Sequence, residues 1–129
     1  MFKGEAYGYN KDDLTKRKPL KIASVEKYID YLKTIANEYP FLAIVGLRIL
    51  TEIKIKDFLR AKNIEYNEKD TLGVLIRRLS NSIPEAQMNT LLDFNEFQNI
   101  ASHGYEISQE TAIWALDAIP AFLKTIVSD

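Results

Sequence analysis

The chain contains no cysteine and one histidine, His103, in 129 residues. That count alone excludes a thiol nucleophile, an intrachain disulfide and a Cys/His zinc site. A carboxylate-rich metal site is left with Asp93 and Glu96 beside His103, too weak a cluster to retain, so no metal and no cofactor is expected. The five glycines are scattered, which leaves no phosphate-cradling loop of the P-loop or dinucleotide kind. Long apolar runs are missing too. The stretch that opens at Phe41 is broken by Arg48, Glu52 and Lys54, short of the about 20 residues that cross a bilayer. Met1 to Tyr9 has no continuous apolar segment of the secretory type. The expectation is a soluble, cytoplasmic protein with no membrane association. A formal net charge of -1 denies it the field of a strongly basic nucleic-acid binder, so any phosphate contact must come from local patches.

What the chain does have is helical periodicity over most of its length. With 47% hydrophobic residues it suits one domain that buries roughly two-thirds of its unfolded surface. Residues 1–23 are charged and aperiodic, an irregular basic arm or the junction to a larger protein; residues 24–129 predict a single antiparallel, all-α bundle of about five helices. Ser24 caps the first, whose stripe runs from Val25 to Tyr39 and which Pro40 closes. From Phe41 to about Lys62 the second starts apolar in every direction, as a helix covered on all sides would, and ends charged. Asn63 to Asp70 is polar, and Thr71 caps a short helix to about Ser80. Pro84 opens a fourth, with a stripe from Met88 to Ala101 that Gly104 stops. Ser108 caps the last, which contains Ile113, Trp114 and a kinking Pro120. No strand pattern or internal repeat is present.

Two basic clusters stand out. The segment Lys11 to Lys21 carries five basic residues against two acidic ones, and Lys54, Lys56, Arg60 and Lys62 end the second helix. Each reads either as a phosphate contact or as a solvated face. Arg48 and Glu52, four apart, share a face with Phe41, Ile44, Val45 and Ile55. A charge buried there costs several kcal/mol unless paired, so the two form either a structural ion pair or a guanidinium held in a cleft for an anion. Asn99 and His103 are also four apart on one face, with Glu96 one turn earlier. A lone histidine beside a helix C-terminus is more often a cap, its positive form favoured by the helix dipole and able to bond the last carbonyls. Ser102 adjoins it, but neighbouring helix residues point about 100° apart and no elbow motif surrounds the serine.

The helix Gly46-Leu47-Arg48-Ile49-Leu50-Thr51-Glu52, followed about forty residues on by Gln98-Asn99-Ile100-Ala101-Ser102-His103-Gly104 and a final apolar helix, resembles the HEPN superfamily. The likeness is strongest to prokaryotic domains of defence and restriction systems, and it covers roughly residues 25–127. HEPN nucleases typically show Arg, a polar residue that is often Asn, three variable residues and His. Asn99 and His103 match, while Gln98 stands where the arginine is usual. The resemblance implies an RNA-binding domain of an antiviral defence or toxin-antitoxin system, and a metal-independent endoribonuclease with His103 as acid/base, acting as a homodimer. Removing one charge-stabilising donor costs about a hundredfold or more in rate, so Gln98 leaves two expectations. Either Arg48 supplies the charge to a site of His103, Asn99 and Gln98 with Glu52 in support, or the domain is a noncatalytic dimerisation module that binds a partner protein or ligand. Tyr105 completes a His-x-Tyr spacing found in HEPN toxins that a partner nucleotidyltransferase modifies, and is otherwise a packing residue. Phe94, Phe97 and Ile100 are the expected dimer face.

Overall fold

The computed structural model describes residues 18–127. Residues 1–17 of the expected arm, with Lys11, Lys16 and Arg17 of its basic cluster, lie outside the described residues. The extended backbone of Ser24 lets its hydroxyl accept from the Lys27 N–H at 3.2 Å, and this starts α1 (Val25–Ile35). Pro40 does not close that helix but opens the next, α2 (Pro40–Ala61). At a helix start its missing N–H removes no bond. Asn63 stops α2 with left-handed backbone at φ 56°, its N–H donating to the Arg60 carbonyl and that of Ile64 to the Leu59 carbonyl.

Thr71 caps the short α3 (Leu72–Arg78). The polar segment before it is held by Asp70, which accepts from Arg78 Nε at 2.7 Å and from the Asn67 N–H at 2.9 Å. These two bonds keep the Asp70 carboxyl below its usual range, the Asn67 N–H contributing most. Pro84 is the cap of α4 (Glu85–Ser102) and not its first helical residue. Ser108 accepts from the Thr111 N–H at the head of α5 (Gln109–Val127), which continues through Pro120. All secondary structure among the described residues is helical, so the fold is an all-α bundle of five helices.

The centre of the bundle is α2, which packs against each of the other four helices, most extensively α5 and α4. Ala43, Ile44, Leu47, Leu50, Ile55 and Leu59 are wholly buried. Gly46 lets α1 approach: a Cβ there would lie 2.6 Å from a Leu32 methyl, and the Tyr28 hydroxyl donates to the Gly46 carbonyl at 2.6 Å. The all-round apolar character expected from Phe41 onward holds only beyond the first turn, since Phe41 and Leu42 are exposed. Gly46→Ala is expected to destabilise by about 1–3 kcal/mol through this overpacking, and Leu47→Ala by about 2–5 kcal/mol through a cavity. Denaturant unfolding checks both; a neutral Gly46→Ala would contradict the close α1–α2 approach.

Candidate functional site

Arg48 and Glu52 sit on the part of α2 that its neighbours only half cover, with side chains 31% and 28% exposed. Arg48 Nε lies 3.7 Å from a Glu52 carboxylate oxygen, an ion contact too long for a hydrogen bond, and that nitrogen is buried with no hydrogen-bond partner. The other edge of the guanidinium crosses to α4, where Nη1 donates to Ser102 Oγ at 3.2 Å. Arg48 is therefore not neutralised by Glu52 alone. Burial raises the Glu52 pKa, and the nearby Arg48 and Lys56 cations only partly oppose this.

Gln98 is 4% exposed, the single buried amide among the described residues. Its Nε2 donates to Asn95 Oδ1 and to Asn99 Oδ1, each at 2.9 Å, and its Oε1 accepts from the Ser102 hydroxyl at 3.4 Å. A chain of donors thus runs from Arg48 through Ser102 and Gln98 to the two asparagines. Gln98 is an interior junction, and the candidate surface is the exposed end of the same helix.

That surface is the C-terminal turn of α4. His103 is the C-cap residue and Gly104 follows with left-handed backbone at φ 84°. The Gly104 N–H donates to the Ala101 carbonyl and the Tyr105 N–H to the Ile100 carbonyl, the paired closure that needs a residue free of the Cβ penalty. The His103 side chain makes no bond to those carbonyls; its backbone N–H donates to the Asn99 carbonyl at 3.1 Å. Asn99 and His103 are exposed. Tyr105 is 69% exposed, so it is not the packing residue that a tyrosine after a glycine stop ordinarily is.

The fold brings Arg48, Glu52, Gln98, Asn99 and Ser102 into one connected group, with His103 next to Ser102 in the chain. Sequence reasoning set Ser102 aside and passed over Asn95; their signal was a spacing of three and four residues from Gln98. The basic end of α2 is largely committed elsewhere. Lys56 pairs with Glu68, Arg60 with Asp57 and Glu68, and Lys62 lies 5.6 Å from the Phe58 ring centroid, which favours the solvated reading of that cluster. A groove of about 790 Å³ runs between α1, α2 and α5, lined by Ile29, Lys54, Leu116 and Lys124 among others and by none of the site residues. Among the described residues no three His, Asp or Glu side chains cluster as metal ligands, and no helix is long and apolar enough to cross a membrane. No family model matches the chain, and neither a curated protein nor a solved structure matches it significantly.

Because the folded protein holds the Glu52 proton more tightly than the unfolded chain, this group's contribution to stability is complete below its unfolded pKa and falls as pH rises through the elevated folded value. Unfolding free energies of wild type and Glu52→Gln from about pH 4 to about pH 7 isolate it. Wild type should lose stability relative to the variant as pH rises across the lower part of that range; parallel profiles would contradict the burial of this carboxylate.

Proposed function

We propose that the chain is a HEPN-like RNA-binding module of a prokaryotic defence or toxin-antitoxin system, acting as a metal-independent endoribonuclease with His103 as acid/base. The observation that carries this reading is the hydrogen bond from Arg48 to Ser102, which brings a guanidinium from α2 to the residue beside His103. The charge absent at Gln98 is then supplied from another helix. In the reaction a ribose 2′-hydroxyl gives its proton to His103, its oxygen attacks phosphorus, and the 5′-oxygen leaves with a proton. Arg48 stabilises charge on the phosphate oxygens, the term that ordinarily dominates such catalysis.

One turnover uses a base and an acid, while the chain has one imidazole, so the reading includes a homodimer that supplies a second His103. Ile100, Ile113 and Trp114 are exposed, and Phe97 meets Trp114 edge to face at 5.7 Å, an apolar surface next to the site. Phe94, expected on this face, is wholly buried and takes no part. The exposed Tyr105 is open to modification by a partner protein of the toxin-antitoxin type.

A second reading, a noncatalytic dimerisation or ligand-binding module, is favoured by one observation: the motif position of Gln98 is interior and uncharged. Incubation with mixed RNAs in EDTA separates the two. The nuclease reading expects cleavage that His103→Ala and Arg48→Ala each lower by about a hundredfold or more. RNA bound but intact points to the binding module, and absence of binding sinks the RNA reading altogether. Gel filtration at micromolar concentration should show a dimer that Ile100→Asp splits; a monomeric wild type would refute the shared site.

A further inference from the structure

Gln98 need not be read as a lost arginine. We propose that Gln98 is a positioning residue whose amide sets the hydrogen-bond polarity of the α4 surface, so that Asn99 and Arg48 meet a bound phosphodiester as donors. The proposal rests on the RNA-binding reading above and names the group of the RNA that the surface recognises.

The argument is one of donor and acceptor inventory. Both Nε2 hydrogens of Gln98 are committed, one to Asn95 Oδ1 and one to Asn99 Oδ1. The nitrogen of this amide faces the two asparagine oxygens. Its Oε1 then faces Ser102 and takes the hydroxyl hydrogen, leaving the lone pairs of Ser102 Oγ for Arg48 Nη1. The bond from Gln98 Nε2 turns Asn99 Oδ1 inward, so the Asn99 group left for solvent is Nδ2, a donor with no bond to the protein among the described residues. Every link gives its hydrogen toward Asn95 and Asn99 on α4, and a chain aligned in one sense strengthens each member.

Glutamine is the residue type this junction requires. Arginine has no acceptor for Ser102 and would set a second cation beside Arg48 in a nearly closed site. Glutamate has no donor for Asn95 or Asn99, so Asn99 would turn its oxygen outward. What the wild-type amide leaves without a protein partner, an asparagine NH2 and the remaining Nη hydrogens of Arg48, matches a ligand that only accepts, as phosphate oxygens do. Glu52 lies on the Nε edge of Arg48, and Glu96 is exposed one turn before Asn99 on α4. Neither accepts a hydrogen bond from the Arg48 Nη groups or from Asn99.

The test uses the full chain and a short single-stranded RNA followed by fluorescence anisotropy, with melting curves to confirm folding. Gln98→Glu is expected to weaken RNA affinity by about tenfold or more, and Gln98→Met, similar in size without polarity, by less. In an Asn99→Ala background Gln98→Glu should cost markedly less, because the group it reorients is gone. Folded Gln98→Glu that binds like wild type overturns the proposal. So does Gln98→Arg that folds and binds more tightly, the result expected of a merely lost motif arginine. Side-chain amide exchange with water, read by NMR without RNA, separates this inference from the function. Slow exchange at Gln98 with fast exchange at Asn99 upholds the polarity even if the RNA reading fails, and fast exchange at Gln98 overturns it.

Discussion

The guanidinium of Arg48 is the constraint around which the site is arranged. Its helix has neighbours on four sides, so a charge on α2 can reach water only where those neighbours part. Arg48 and Glu52 occupy such a place, half in and half out. Desolvating an ion costs several kcal/mol unless it is paired and hydrogen-bonded, and Glu52 is too far for a hydrogen bond and itself burdened by burial. The cost is offset across the helix interface, at Ser102. One bond therefore answers a need of α2 and fixes the last turn of α4, the turn that carries His103.

That arrangement has two levels, and the sequence discloses them unequally. The five helices and the caps Ser24, Thr71 and Ser108 are local matters of periodicity and of short side chains reaching their own backbone, and they stand in the structure as expected. Prolines misled the boundaries. A fixed φ near -65° suits the end of one helix and the start of the next alike, so Pro40 was expected to close α1 when it opens α2, and Pro84 precedes α4 where it was expected within it. Apolarity also overstates the core: Phe41, Leu92, Ile100 and Trp114 join periodic stripes yet remain exposed, because a stripe says which face is greasy and not how far its neighbour extends.

Within the site, the pairing of Arg48 with Glu52 was legible from a spacing of four on one helix, and so was the shared face of Asn99 and His103. The contact of Arg48 with Ser102 was not, since it joins residues 54 apart in the chain and depends on how two helices pack. The burial of Gln98 is unusual for a physical reason. An amide on an amphipathic helix normally faces water, and only a full set of partners makes its burial tolerable. Those partners, Asn95, Asn99 and Ser102, lie on one strip of α4 at spacings of one, three and four, a pattern visible in the sequence once polar side chains are considered as partners of one another.

The source of the cation also changes what controls it. An arginine in place of Gln98 would sit on the same helix as His103, and the distance between the two would be fixed by helix geometry alone. Arg48 reaches Ser102 from α2, so its place beside the last turn of α4 depends on the packing between α2 and α4. The exposed apolar residues Ile100 and Trp114, with Phe97 between their helices, lie on α4 and α5, the two helices that pack most heavily on α2. A group of side chains divided between two helices thus depends on how those helices pack, whereas one confined to a single helix would be set by helix geometry alone.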